Sequence, residues 1–188
     1  MAILPVTMYG DKILRKKVNK VEKVDNNTIE LITNMFDTMH NANGIGLAAN
    51  QVGADKSVLI IDISKVEGYE DKKPIVFINP DIVKYSESKV IIEEGCLSIP
   101  DIRAEVERPD AVTIKYQDTD LKEHVLEADD LLARVIQHEY DHLQGILFPD
   151  LVTEQLKKQL KKPLQKIKKR KVEVSYPISQ SIDYQLTF

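Results

Sequence analysis

Apolar residues recur every three or four positions in two stretches of the chain, which is the spacing of an amphipathic helix. The first helix should begin at Asn27, where Glu30 completes the form of a capping box, and end near Asn43–Gly44. The second should begin at Asp129 and stop at Gly145. The apolar stripe of this second helix is formed by Leu131, Leu132, Val135, Ile136 and Leu143. The sequence therefore predicts one amphipathic helix before the central part of the chain and one after it.

Short runs rich in Val and Ile lie between these helices and predict β-strands, because each is bounded by Gly, Pro, Asn or Asp. The runs are Val58–Ile63, Ile75–Ile78, Lys89–Ile92 and Ala111–Tyr116. Asn79-Pro80, Ile99-Pro100 and Arg108-Pro109-Asp110 are typical of turns. Strands and helices do not alternate along the chain, so we expect an α+β fold with mainly antiparallel sheets.

Composition narrows the class of protein. The chain has 188 residues, of which 43% are hydrophobic, so it can bury one core of ordinary size. It contains no apolar run approaching the roughly 20 residues of a membrane-spanning helix, and its start lacks the pattern of a secretory signal. Cys96 is the only cysteine, which excludes an internal disulfide. We therefore expect a cytoplasmic protein that has no membrane partner.

The second predicted helix contains the motif H-E-x-x-H, formed by His138, Glu139 and His142. Because residues four apart differ by only about 40° around a helix, the two imidazoles point the same way and can bind one metal ion. Glu139 is displaced by about 100°, which lets it reach a water on that metal as a general base. The alternative is that both histidines are hydrogen-bonded core residues. The metal site is favoured, since two of the four histidines bracket an acid on the buried side of this helix.

A catalytic centre of this type takes three protein ligands and leaves one position open, so the motif needs a third ligand. The extended metallopeptidase pattern would supply a histidine where this chain has Phe148. Asp150 or Glu154 could serve instead, as in an ordinary metallopeptidase. Cys96 is the better candidate, because it follows Gly95 at the end of a predicted strand and a thiolate binds such ions strongly. The alternative for a lone cysteine is burial as a small apolar side chain.

A further segment, Gly44–Gly53, is rich in small residues that let a backbone or a substrate pass closely. It lacks the glycine patterns that bind phosphate. Gln51 offers an amide donor near its end. By itself this segment does not identify a function.

Together the three segments resemble the peptide deformylase family, whose hallmark motifs are G-x-G-L-A-A-x-Q, E-G-C-L-S and H-E-x-D-H. The chain matches them in that order at Gly44–Gln51, Glu94–Ser98 and His138–His142, with no departure inside a motif. The matches span about half of the chain. The uninterrupted second motif and the C-terminal helix are most similar to the bacterial enzymes.

The resemblance implies an α+β fold whose antiparallel sheets pack around the helix that bears His138 and His142, with a further helix at the C-terminal end. It implies a metal-dependent hydrolase that removes the N-formyl group from the N-terminal formylmethionine of newly made peptides and releases formate. Cys96, His138 and His142 would bind one divalent metal ion. Fe2+ is expected, with Ni2+, Co2+ or Zn2+ as substitutes.

The same resemblance implies roles for residues around the metal. Glu139 would move the proton between the attacking water and the leaving amine. The side-chain amide of Gln51 and the backbone N–H of Leu97 would stabilise the oxyanion. Ile45, Gly46, Leu97 and Arg103 would line the peptide groove, where pairing of the substrate with Gly46 would add a strand to a sheet edge. For Arg103 the alternative is a solvated charge on an edge strand.

The C-terminal part of the chain is basic. A third helix should run from about Thr153, with a kink or break at Pro163. From Lys157 to Lys171 there are nine Lys or Arg and no acid, although the net charge of the chain is −4. This run can be a solvated helix face or an electrostatic footprint for RNA. Residues 172–188 have the composition of a polar tail without identifiable chemistry.

In bacterial deformylases the C-terminal helix is associated with docking on the ribosome, so we hypothesise the same contact here. Truncation after Val152 should then abolish salt-sensitive ribosome binding and leave the hydrolysis of a short peptide intact. We expect a single domain, with the catalytic metallohydrolase part over residues 1–152 and the basic helix and tail over residues 153–188.

Two other functions are consistent with the residues. A zinc metallopeptidase that uses Asp150 or Glu154 would tolerate Cys96→Ser, whereas a deformylase would lose metal or activity. A non-catalytic module with a structural metal would need four protein ligands and would be indifferent to Glu139→Ala. The sequence offers three good ligands, which favours an enzyme.

Overall fold

The computed structural model describes residues 2–186. Met1, Thr187 and Phe188, which belong to the predicted ranges 1–152 and 153–188, lie outside the described residues. The helices are α1 (Asn26–Asn41), α2 (Asp130–Leu143) and α3 (Glu154–Lys168). The strands are β1 (Gly46–Ala48), β2 (Val58–Ile61), β3 (Ile75–Tyr85), β4 (Lys89–Cys96), β5 (Ile99–Pro109), β6 (Ala111–Gln117) and β7 (Glu123–Asp129).

Five strands form one antiparallel sheet in the order β1-β2-β3-β6-β7. β4 and β5 form a separate antiparallel hairpin. This architecture confirms the predicted α+β class with mainly antiparallel sheets and a C-terminal helix. β1 stands at one edge of the larger sheet, so its outer side is free to pair with an added strand.

α2 lies against the five-stranded sheet and forms the centre of the molecule. Its residues Ala133, Val135, Ile136 and Leu143 are buried in one cluster with strand residues such as Phe77. Every residue from Ala133 to Glu139 is buried. The helix therefore carries its polar side chains into the interior together with its apolar stripe, and this is what positions the site.

The predicted helix ends are partly wrong. α1 is capped by Asp25, whose side chain accepts a hydrogen bond from the backbone N–H of Thr28, and not by a capping box at Asn27. The residue in the left-handed conformation after α1 is Asn43, with φ of 54°, and not Gly44. α2 does begin after Asp129, as expected, but that side chain makes no capping hydrogen bond.

The described residues form seven strands where the sequence predicts four. β3, β4 and β6 are longer than predicted, whereas β2 ends at Ile61 and not at Ile63. The prediction misses β1, β5 and β7; in β5 and β7 the alternation places charged residues outside and leaves few consecutive apolar ones. Asn79-Pro80 and Ile99-Pro100 lie within β3 and β5 instead of forming turns. At the first of these, the register of β3 with β6 shifts between Ile78 and Asp81, so the proline sits at an irregularity where no ladder bond is needed.

α3 runs unbroken through Pro163, which rules out the break, one of the two outcomes predicted there. Gln159, whose carbonyl loses its helical donor, is exposed, so water can satisfy it. The inner face of α3 is formed by Leu160, Leu164 and Ile167, which are buried with Met8 and other residues of the core. Within residues 2–186, no helix is both long enough and apolar enough to cross a membrane.

Candidate metal centre and substrate cleft

α2 presents His138 and His142 one helical turn apart on its buried face. Their ring centroids are 5.0 Å apart, with the rings edge to face. The exposed fraction is 8% for His138 and 1% for His142. Both imidazoles are therefore held inside the protein by the packing of the helix that carries them.

Cys96 reaches the same place from the end of β4. The register of β4 with β5 shifts between Gly95 and Cys96, which turns the chain at this point. The Sγ of Cys96 lies 3.2 Å from Nε2 of His142. The ligand atoms of Cys96, His138 and His142 all lie within 4.8 Å of one another. The fold thus brings together the three predicted ligands from two distant parts of the sequence.

The donor set of this cluster fits a divalent metal ion. Sγ of Cys96 and Nε2 of His142 lie 3.2 Å apart, a separation that a shared proton bridges when no metal ion is bound. Nδ1 of His138 is hydrogen-bonded to Oε2 of Glu94 at 2.8 Å, which leaves Nε2 of that ring available as a ligand. One thiolate and two imidazoles suit several first-row divalent ions.

The other predicted third ligands lie elsewhere. Oδ2 of Asp150 pairs with Nη1 of Arg15 at 2.5 Å, and Glu154 pairs with Lys157 on the surface. Phe148 packs its ring against that of His138, with centroids 6.2 Å apart. The geometry therefore gives no support to a metallopeptidase site completed by Asp150 or Glu154.

Behind His138 lies a buried network of charges centred on Glu94. Oε1 of Glu94 accepts hydrogen bonds from Nε of Arg108 at 2.6 Å and from Nη1 of Arg134 at 2.8 Å. Arg108 also donates to Oδ2 of Asp141 at 2.6 Å. Glu94 is thus shared between two guanidinium groups and an imidazole, which fixes the orientation of the His138 ring.

The environment of Glu94 stabilises its charged form. Burial alone would raise the pKa of this carboxyl, but the hydrogen bonds from His138 and Arg108 outweigh it and hold the pKa well below its ordinary value. Sequence reasoning assigned no role to Arg108, Arg134 or Asp141. Arg134 could have been found, because it lies four residues before His138 on the apolar side of the same helix.

Glu139 lies at the floor of the cleft beside the cluster. It is 4% exposed, and its Oε2 is buried without a hydrogen-bond partner among the described residues. Burial raises the pKa of Glu139 to about 7. A Cβ at Gly46 would stand 2.6 Å from Oε1 of Glu139, so only glycine lets β1 approach α2 this closely. The arrangement leaves one carboxylate oxygen free to bind a water or a reacting group.

The amide of Gln51 is held in one orientation. Its Oε1 accepts a hydrogen bond from the backbone N–H of Ala48 at 2.8 Å. Its Nε2 therefore points to the other side, where Sγ of Cys96 lies at 3.4 Å and Oγ of Ser98 at 3.3 Å. Gln51 is 1% exposed, so this donor is fixed beside the cluster before any ligand arrives.

An open cleft of about 720 Å³ leads to the cluster. Ile45 and Gly46 line it from the edge of the large sheet, and Leu97 lines it from the end of the β4–β5 hairpin. Arg103 also lines it, but its side chain is 70% exposed and lies 3.8 Å from Glu93. The structure therefore places the sequence-predicted site residues along this cleft, with Arg103 at its outer rim, except for His142, which is buried behind the lining.

Comparison with known proteins gives the same picture in sequence and in fold. The model of the polypeptide deformylase family matches residues 3–158. The peptide deformylase of Prosthecochloris aestuarii is 45% identical over 178 residues, which are 95% of each chain.

Two solved structures show how far the fold agrees. A plant peptide deformylase superposes with a TM-score of 0.84 at 38% identity, over 91% of this chain and 92% of its own. The peptide deformylase of Ehrlichia chaffeensis gives a TM-score of 0.81 at 36% identity, over 90% of this chain and 97% of its own. The similarity therefore extends over about nine tenths of the chain in fold as well as in sequence.

Proposed function

The chain belongs to the peptide deformylase family, and we propose from the geometry above which of its residues carry out the reaction of that family. The reaction is the metal-dependent hydrolysis of the N-formyl group on the N-terminal formylmethionine of new peptides, which releases formate. The observation that carries the assignment of residues is the convergence of Cys96, His138 and His142 beside the buried carboxylate of Glu139.

Cys96, His138 and His142 would hold one divalent metal ion. When bound, the ion lowers the pKa of a water and polarises the formyl carbonyl. We propose Fe2+ as the ion in the cell, with Ni2+, Co2+ or Zn2+ able to replace it. The mixed thiolate and imidazole ligands support this set without singling out one member.

Glu139 moves the proton. Its free Oε2 accepts the proton of the attacking water and then delivers it to the amine that leaves as the new N-terminus of the peptide. The position supports this role, because Glu139 directly follows a ligand on α2 and is buried at the floor of the cleft.

Gln51 and Leu97 stabilise the negative charge that develops on the formyl oxygen. The orientation of Gln51 supports this role, since Ala48 holds its Oε1 and leaves Nε2 to donate into the site. The backbone N–H of Leu97 is the second donor. Such fixed donors are effective because they need no reorganisation during the reaction.

The peptide binds along the free edge of β1. Its backbone pairs with Gly46 and its first side chain lies near Ile45 and Leu97, with Arg103 at the rim. Main-chain pairing accepts many side-chain sequences, which suits an enzyme that acts on most new chains.

The exposed basic face of α3 is suited to contact with a negatively charged surface. We propose that the basic face of α3 contacts the ribosome and that the protein works in the cytoplasm, where new peptides emerge. Four lysines are exposed on this face, which supports the contact: Lys158, Lys161, Lys162 and Lys166.

Truncation after Val152 is a poor test of this contact, because α3 contributes three buried residues to the core. Replacing these four lysines by Gln should instead abolish salt-sensitive ribosome binding and spare peptide hydrolysis, and unchanged binding would contradict the contact.

Formate release from a short formyl-methionyl peptide tests the function itself. Protein prepared without oxygen and loaded separately with Fe2+, Ni2+ or Zn2+ should release formate, and a chelator should stop it. No release with any ion, from folded and metal-loaded protein, would contradict the activity.

Two variants test the assignment of residues in the same assay. Cys96→Ser should lose metal affinity and activity together. Glu139→Ala should keep the metal and the fold and lose about 100- to 10,000-fold in kcat. An active Glu139→Ala variant would remove Glu139 from its proposed role.

A further inference from the structure

Residues 172–186, which we call the C-terminal strap, leave the end of α3 and fold back over the body of the protein. Ile178 forms a parallel bridge with Val6, and the backbone N–H of Val6 donates to the carbonyl of Pro177 at 2.9 Å. Farther along, the N–H of Leu186 donates to the carbonyl of Gly53 at 2.9 Å. The strap is therefore a fixed part of the fold and not the polar tail that its composition indicates.

A buried carboxylate fastens the strap at its middle. Asp11 is fully buried, and its Oδ2 accepts hydrogen bonds from Oγ of Ser179 at 2.5 Å and from the backbone N–H of Met8 at 2.9 Å. Its Oδ1 pairs with the guanidinium of Arg170, just before the strap begins. This anchor lies apart from the cleft, so the strap is held in place without any help from its residues nearer the metal site.

The strap reaches the cleft at Tyr176. The four residues Glu173, Val174, Ser175 and Tyr176 line the cleft. Oη of Tyr176 donates a hydrogen bond to the carbonyl oxygen of Leu97 at 2.7 Å. These four residues lie beyond residue 158, where the match to the family model ends, whereas the similarity to the relative from Prosthecochloris aestuarii extends over 95% of the chain. The strap thus supplies a contact to the site from outside the three sequence motifs.

We propose that Tyr176 is a positioning residue for the hydrolysis, acting through the backbone of Leu97. This inference rests on the proposed role of the Leu97 N–H as an oxyanion donor. The carbonyl group that accepts from Tyr176 and the N–H of Leu97 are both attached to the Cα of Leu97. The hydrogen bond therefore restricts the backbone rotation that would turn this N–H away from the site. The next carbonyl, that of Ser98, accepts from the backbone N–H of Tyr9 at 2.9 Å, which fixes the other side of the turn.

Positioning of the Leu97 N–H should stabilise the transition state more than it strengthens substrate binding. An oxyanion donor acts on charge that develops only during the reaction, so a loosened donor lowers kcat with little change in KM. A purely structural contact would instead lower the thermal stability and leave kcat of the folded enzyme unchanged.

Tyr176→Phe in the full-length, metal-loaded protein tests the proposal, since it removes the hydroxyl and keeps the ring. With a formyl-methionyl tripeptide we expect kcat to fall about three- to tenfold and KM to stay within about twofold, which corresponds to the loss of one hydrogen bond. Tyr184→Phe is the matched control, because Tyr184 lies in the same strap but packs its ring against Gly53. That control should leave kcat unchanged.

Amide hydrogen exchange of the peptide around residues 96–99 provides a second readout that does not depend on turnover. Exchange there should become faster in Tyr176→Phe and stay unchanged in Tyr184→Phe. Unchanged kcat in Tyr176→Phe, a loss confined to KM, or an equal loss in the control would overturn the positioning role. Absence of formate release from the unsubstituted protein would contradict the proposed function instead, so the two failures are distinguishable.

Discussion

The two faces of the β4–β5 hairpin carry the same chemical pair, a carboxylate and a guanidinium, in opposite surroundings. On the inner face, Glu94 and Arg108 meet at 2.6 Å with side chains that are 4% and 6% exposed. On the outer face, Glu93 and Arg103 lie 3.8 Å apart with side chains that are 60% and 70% exposed. Neighbouring residues of one strand thus place their charges in the protein interior and in water.

The effect of an ion pair therefore depends on its surroundings and not on its residue types. The inner charges are costly to bury, and they are tolerated because most of their polar atoms are hydrogen-bonded, although Nε of Arg134 has no partner among the described residues. Glu94 consequently fixes His138 rigidly. The outer pair is screened by water and contributes little to stability, so Arg103 remains free to meet a substrate.

Glu94→Gln should destabilise the protein more than any other substitution in these two ion pairs. The substitution keeps the shape of the side chain but removes the charge that balances two buried guanidinium groups. We expect the free energy of unfolding to fall by about 3–5 kcal/mol, the cost of leaving buried charge uncompensated. We also expect metal affinity to fall about 10- to 100-fold, because His138 loses its oriented partner. Denaturant unfolding and a competition with a chelator measure the two effects.

Glu93→Gln is the matched control for that variant, on the same strand and the outer face. It should change the free energy of unfolding by less than about 0.5 kcal/mol, as exposed and distant pairs do. Equal losses in the two variants would mean that the inner network does not differ from the outer pair in its contribution.

Asp141→Asn should have a smaller effect than Glu94→Gln. Asp141 contacts only Arg108 in the network, and its side chain is 18% exposed, so water can replace part of the lost interaction. We expect the free energy of unfolding to fall by about 1–2 kcal/mol, the range of a hydrogen bond to a charged group. Metal affinity should stay near that of the unsubstituted protein, since Asp141 does not hold His138. A loss as large as that of Glu94→Gln would contradict the central place of Glu94.

The sequence predicted the part of the site that lies on one regular element. His138, Glu139 and His142 belong to a single helix, whose period determines their relative directions. Arg108 could not be placed in the same way, because its partners Glu94 and Asp141 come from a strand and a helix that only the folded chain brings together. The unexpected strand β5, which carries Arg108, hid this relation further.

The C-terminal strap shows a second limit of sequence reasoning. Val172, Val174, Tyr176 and Ile178 alternate with polar residues or proline, which is the spacing of a strand, but within residues 172–186 only Ser179 is buried. This short alternation does not show where in the fold the segment lies. Their place in the fold depends on Asp11, which lies at the opposite end of the chain and gives no local signal of its role. Without that contact the composition of the segment indicates only a polar tail.

Arg103→Ala tests the outer face, where the expected effect is smallest. The free energy of unfolding should change by less than about 0.5 kcal/mol, because the pair with Glu93 is long and exposed. If Arg103 touches the peptide, KM for a formyl-methionyl peptide should rise about two- to fivefold, the value of one exposed polar contact.

Lys89→Ala is the matched control, since Lys89 pairs with Glu107 at 3.1 Å on the same outer face but does not line the cleft. It should leave both stability and KM unchanged. A rise of KM in both variants would indicate a general effect of surface charge, and no rise in either would establish Arg103 as a solvated charge, the alternative that its sequence context left open.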